Sequence, residues 1–138
     1  MKITREANAI WQGTGKDGKG NLSTASTTLK NSQYSYKTRF EEGVGTNPEE
    51  LIGAAHAGCF AMQLSFLLAE EGFDSEQLDT EAKVILEDGT ITEVHLELKG
   101  KVAGIEEDKF KSIANKAKEI CPVSKLFKAD IKLNATLV

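Results

Sequence analysis

The sequence predicts an α+β fold of order βββ-α-ββ-α-β. Three observations carry that expectation. Apolar and polar residues alternate within the first forty positions and again from Leu78 to Leu98. An uncharged stretch at Leu51–Ala69 has helical character, and Phe110, Ile113, Ala117 and Ile120 mark an amphipathic helix. Period-two segments flanking period-3.6 segments define the class.

The first strand is read around Ile3 to Trp11, followed by a glycine-rich turn over Gly13 to Gly20. Leu22 to Leu29, rich in Thr and Ser, suits a strand with an exposed face. Tyr34, Tyr36, Thr38 and Phe40 alternate with Ser35, Lys37, Arg39 and Glu41, which predicts a third strand. Asn47 is a good helix N-cap, Pro48 suits the first helical position, and Glu50 falls at the capping-box position. Glu49 and Glu50 also suit the positive end of the helix dipole. That helix should end near Glu71, with Gly72 as its stop. Leu78 to Leu86 and Val94 to Leu98 then flank Asp88-Gly89 as a second hairpin. The amphipathic helix follows, and Ile131, Leu133, Ala135 and Leu137 form the last strand.

A chain of 138 residues with 40% apolar content predicts a single domain, residues 1–138, with a real core. Its net charge of −4 and scattered lysines argue against a nucleic-acid partner. The first residues, Met1-Lys2-Ile3-Thr4-Arg5, lead into polar sequence rather than an apolar targeting segment, so a cytoplasmic location is expected. Leu51 to Ala69 holds nineteen residues without a formal charge, enough to span a bilayer. His56, Gln63, Ser65 and the charges on both flanks favour a buried central helix and no membrane partner. Its apolar residues surround most of the circumference, so both sides should be packed. A small sheet covers only one side, which predicts an obligate homodimer.

Two cysteines, Cys59 and Cys121, dominate the chemistry. Redox work, metal binding or inert burial are all open to such a pair. A reactive cysteine needs a lowered thiol pKa. Cys121 precedes Pro122, so it would cap a short helix whose amides favour a thiolate; the other reading is that it ends the helix before it. Cys59 shares a helix side with Ile52, Ala55, Met62 and Phe66, where burial alone would raise its pKa. Reactivity there demands a cation, and Arg39 is the best candidate, because its guanidinium can face a thiolate while a carboxylate holds it. Read alone, Arg39 is a solvated strand residue. Glu49 and Cys59 are ten residues apart, about 15 Å along a regular helix. One shared site therefore requires a second subunit or a helix break, for which Gly53 is the candidate.

Competing sites have weaker signatures. His56-x-x-Cys59 places two ligand types one turn apart, but no CxxC or HExxH spacing accompanies it. His95, between Val94 and Leu96, should face solvent. Gly13-x-Gly15-x-x-Gly18 matches a dinucleotide fingerprint only formally, since a hairpin rather than a helix start surrounds it.

Residues Gly45-Thr46-Asn47-Pro48-Glu49-Glu50-Leu51-Ile52-Gly53-Ala54-Ala55-His56-Ala57-Gly58-Cys59-Phe60 resemble the central-helix motif of the osmotically inducible protein C (OsmC) and organic hydroperoxide resistance family. Lys118-x-x-Cys121-Pro122-Val123-Ser124 resembles its second motif, and Thr38-Arg39-Phe40-Glu41 is similar to the OsmC branch. The likeness covers essentially the whole chain. It implies an intertwined homodimer with central helices packed against antiparallel sheets. The implied activity is a thiol-dependent peroxidase acting on organic hydroperoxides and, less efficiently, hydrogen peroxide. Cys59 would be the peroxidatic thiol, passing through a sulfenic acid, and Cys121 the resolving thiol that closes a disulfide with it. Arg39 would stabilise the thiolate and orient the peroxide, and Glu49 would hold Arg39. An external dithiol, such as a lipoylated protein, would reopen the disulfide, with no resident cofactor. Phe60 and Met62 are pocket or core residues on this reading. Val123 stands where the hydroperoxide-resistance branch commonly has an aromatic residue. The alternative is a redox-responsive binding protein that uses the same thiols as a switch.

Overall fold

The computed structural model describes all residues, Met1–Val138. Their contacts divide the chain into two compact units, residues 1–51 and 52–138.

The first unit holds strands β1 (Ala7–Gln12), β2 (Lys19–Thr24) and β3 (Ser32–Tyr34) in an antiparallel sheet with β2 central. Trp11, Gly20 and Tyr34 occupy one row across the three strands. The Trp11 and Tyr34 rings meet 5.4 Å apart over Gly20. A Cβ at Gly20 would fall 2.3 Å from the Tyr34 ring, so only glycine leaves room for both rings. The glycine-rich segment is the β1–β2 connection, between Gln12 and Lys19, as its hairpin reading required.

Three expectations here are corrected, the first being that β1 begins at Ala7 rather than near Ile3. The second strand stops at Thr24 rather than reaching Leu29. Its Ser and Thr hydroxyls instead bond the following turn, as when Thr24 Oγ1 accepts from the Leu29 N–H at 3.1 Å. The third strand ends at Tyr34, and Tyr36–Phe40 forms a short helix, α1, not an extension of that strand. Ser35 caps it reciprocally: the Thr38 N–H donates to Ser35 Oγ at 3.3 Å, and the Ser35 N–H donates to Thr38 Oγ1 at 2.8 Å. The capping box overrides the apparent alternation.

Helix α2 runs unbroken over Pro48–Glu70. The Glu50 N–H donates to Asn47 Oδ1 at 2.8 Å, as the N-cap reading requires. The Glu50 carboxylate bonds Thr46 Oγ1 at 2.9 Å rather than turning back to the cap. At the far end Gly72 takes a φ of +86°. The Phe73 N–H reaches Leu68 O at 2.9 Å and the Gly72 N–H reaches Ala69 O at 3.0 Å, the paired bonds of a Schellman stop.

The second unit pairs β4 (Ser75–Glu87) with β5 (Thr90–Val102) through Asp88-Gly89, with φ values of +49° and +78°. Both are positive, as a type I′ hairpin requires. Helices α3 (Glu107–Ile120) and α4 (Pro122–Leu126) then lead to β6 (Asp130–Leu137). The α+β class holds with one refinement: β6 lies parallel to β5, so this sheet is mixed. A crossover through two helices brings the chain back in the same direction, which a hairpin cannot do.

Central β5 supplies Val94, Leu96, Leu98 and Val102 to the core, α2 supplies Phe60, Leu64, Leu67 and Leu68, and α3 supplies Phe110, Ile113, Ala114 and Ala117. The expectation that α2 would be packed on both sides is not met within one chain. Ala54, Ala55, Gly58, Met62, Phe66 and Ala69 are exposed along its opposite face. Although α2 is long and apolar enough to cross a membrane, its other face forms part of the core.

Candidate active site

Helix α2 and the α3–α4 junction place Cys59 and Cys121 together. Cys121 ends α3, its N–H donating to Ala117 O at 2.9 Å, and is also the N-cap residue of α4, with Pro122 at the first helical position. Its side chain makes no cap bond. Instead its sulfur, fully buried, lies 2.8 Å from Cys59 Sγ, and both thiols are free. Such a pair needs only a small displacement to reach a bonded S–S length of about 2.0 Å.

Burial pushes the Cys59 thiol above its ordinary pKa, and contact with Cys121 pushes it further. The Val123 backbone N–H bonds the same sulfur and acts in the opposite direction. The helix start after Pro122 thus serves Cys59, where the sequence suggested it would serve Cys121. These influences leave Cys59 in need of a further cation if it is to ionise at neutral pH.

Arg39 and Glu49 meet in the first unit. Glu49 Oε1 accepts from Arg39 Nε at 3.0 Å and from Nη2 at 2.9 Å. Glu49 Oε2 is buried without a hydrogen-bond partner. Asn47 anchors the segment by donating from Nδ2 to Thr38 O at 3.0 Å. The Arg39 side chain is 41% exposed, and its guanidinium carbon lies 5.2 Å from the Phe40 ring centre. Arg39 also lines a cavity of about 230 Å³ whose walls include Trp11, Tyr34, Tyr36 and Phe40. An aromatic wall beside a fixed cation suits a ligand with an apolar body and a polar end. Sequence reasoning missed this cavity, since its aromatic residues come from separate strands and a helix.

The histidines part company. His95 Nε2 lies 2.6 Å from Glu93 Oε2 at the partly exposed sheet face, where that contact and Lys132 hold the Glu93 carboxyl below its ordinary range. His56 is fully buried, and its Nε2 lies 2.8 Å from Ser124 Oγ. No group of three or more His, Cys, Asp or Glu side chains has the arrangement of a metal site. Phe60 is a core residue, while Met62 is 63% exposed. The His56–Ser124 pair escaped the sequence reading, although Ser124 follows Cys121 by the three-residue spacing with which His56 precedes Cys59.

A family model described as OsmC-like protein matches residues 41–136. The chain is 46% identical over 141 residues to the Peroxiredoxin OsmC of Escherichia coli (strain K12), covering 99% of each. Among solved structures it resembles the organic hydroperoxide resistance protein OhrB of Bacillus subtilis, with a TM-score of 0.64 and 22% identity over 96% of this chain and 98% of that one. An OsmC-like protein from Mycoplasma pneumoniae gives a TM-score of 0.73 at 14% identity, covering 100% and 99%. At these identities the structures establish a shared fold.

Proposed function

The chain belongs to the OsmC-like protein family, and on that premise we propose that it is a cysteine-based peroxidase that reduces organic hydroperoxides. The peroxidase assignment follows the relative named Peroxiredoxin OsmC at 46% identity. The finer reading is carried by one observation, the Cys59–Cys121 thiol pair at 2.8 Å.

In the proposed cycle the Cys59 thiolate attacks the outer peroxide oxygen. The O–O bond breaks, an alcohol leaves after taking a proton, and Cys59 becomes a sulfenic acid. The Cys121 thiolate attacks the Cys59 sulfur, the S–O bond breaks, and water leaves, closing a Cys59–Cys121 disulfide. An external dithiol, of the kind a lipoylated protein carries, reduces the disulfide by exchange and is itself oxidised. Arg39 supplies the cation that Cys59 requires, and Glu49 fixes its orientation. The aromatic cavity beside Arg39 supports an organic substrate over hydrogen peroxide alone.

Residues 1–138 act as one functional domain in this reading, within an intertwined homodimer. The continuity of helix α2 through Gly53 supports the reading in which Glu49 reaches the thiols from a second subunit. The exposed apolar face of α2 supports a subunit contact. A cytoplasmic setting suits a catalyst that depends on a steady dithiol supply.

Stopped-flow oxidation of reduced protein by cumene hydroperoxide, followed by mass mapping of its thiols, tests the cycle. Rapid formation of the Cys59–Cys121 bridge, absent in Cys59→Ser, is the expected result. With a dithiol present, consumption should continue far beyond one equivalent. Arrest after one equivalent would identify a switch, and absence of oxidation would reject the peroxidase reading.

A further inference from the structure

Cys59 and Cys121 are flanked by a second contact between the same two segments. On α2, His56 precedes Cys59 by three residues; after Cys121, Ser124 follows by three. Residues so spaced share one helix face. The pairings Cys59–Cys121 and His56–Ser124 therefore place α4 antiparallel to this turn of α2, with a contact at each end. Phe127, three residues further on, meets the His56 ring edge-on at 5.4 Å. One buried imidazole thus contacts two residues of the segment that carries Cys121.

This contact has a high local cost. His56 is fully buried and Ser124 is 9% exposed, while His56 Nδ1 has no partner. Burial disfavours the imidazolium, so the ring is neutral. An Nε2–H donating to Ser124 Oγ leaves only an acceptor unpaired, whereas the other tautomer would strand a buried donor. Helix α4 spans five residues, too few to be stable by itself, so its placement depends on such docking contacts.

We propose that His56 and Ser124 are a positioning pair that holds Cys121 against Cys59 during the sulfenic-acid step, so that disulfide closure outruns overoxidation. The inference rests on the peroxidase reading and adds to it a determinant of closure that touches neither substrate nor sulfur. Closure requires the Cys121 sulfur to displace hydroxide from the Cys59 sulfur, released as water. Excess hydroperoxide competes for the same sulfenic acid, converting it to sulfinic acid and releasing a second alcohol. Losing the hydrogen bond lets α4 sample undocked positions and slows closure. The first attack is affected less, because undocking removes together the Val123 N–H and the Cys121 contact, which act on the Cys59 thiol in opposite directions.

Ser124→Ala removes the acceptor, and His56→Gln retains an amide donor. In Ser124→Ala, closure should slow about tenfold, the scale of one buried hydrogen bond. The second-order rate of Cys59 attack should change clearly less than closure does. Mass mapping with excess cumene hydroperoxide should show more Cys59 sulfinic acid, and His56→Gln should close faster than Ser124→Ala. Closure at the wild-type rate in Ser124→Ala, or equal slowing of attack and closure, would overturn the proposal. A peroxide-free measurement separates this from failure of the peroxidase reading. Glutathione disulfide forms a mixed disulfide at Cys59, and Cys121 then displaces the second glutathione. Slower second release in Ser124→Ala would support the pair even in a protein that peroxide does not oxidise; an unchanged release rate would overturn it.

Discussion

Arg39 shows how a residue can matter more to chemistry than to stability. Its ion pair with Glu49 joins a side chain that is 41% exposed to one that is 12% exposed, and such a solvent-reached pair contributes about 1 kcal/mol. Arg39→Ala should therefore change the melting temperature little, yet slow peroxide attack about a hundredfold, as loss of a fixed transition-state charge does. Because burial already pushes the Cys59 thiol up, the variant's attack rate should recover as pH rises; a pH-independent rate would contradict the role. His56 gives a second prediction. Its folded pKa lies below the usual 6.5, so between those values the unfolded state holds a proton that the folded state excludes. Stability should thus be fully present above about pH 6.5 and decline as pH falls toward the folded value. Melting curves of wild type and His56→Gln at pH 7.5 and 5.5 check this: the acid-induced loss should be smaller in the variant.

At the level of elements, close approaches decide what can be replaced. A Cβ at Gly100 of β5 would lie 2.3 Å from Phe110 Cζ of α3. Phe110 is fully buried, so it has no free space into which to retreat. Gly100→Ala should destabilise the protein by about 1–3 kcal/mol in denaturant unfolding, the usual cost of overpacking. Gly53 differs: its added Cβ would meet Ala82 O at 3.5 Å, an ordinary contact. Gly53→Ala should be tolerated, aided by roughly 1 kcal/mol of helix propensity. Elements fixed by their near neighbours are the ones legible in the sequence. Asn47, Pro48, Gly72 and Asp88-Gly89 act on their immediate neighbours, so their structural effects can be read locally. Tyr34–Glu41 misled because its alternation and the Ser35 cap gave conflicting signals, and the hydrogen bonds of the cap prevailed.

For the whole molecule, the exposed side of α2 is the feature with the largest consequence. Met62 and Phe66 are 63% and 59% exposed on a helix whose other side is core. In the proposed homodimer, Phe66→Glu should convert the species seen by sedimentation to monomer. Peroxide turnover should fall with it if the assembled dimer completes the site. A monomeric variant with full turnover would remove the dimer from the mechanism.

The sequence by itself determined the α+β class, both ends of α2, the Asp88-Gly89 turn and the identity of the two thiols, because caps, turns and periodicity act between near neighbours. It also singled out Arg39 and Glu49, whose contact the structure shows. Only the tertiary structure decided that β6 would lie parallel to β5, and that Cys59 would meet Cys121 across 62 residues and His56 would meet Ser124 across 68. Those contacts depend on how α2, α3 and α4 pack around β5. Such long-range packing is a property of the assembled core, which no local run of residues encodes.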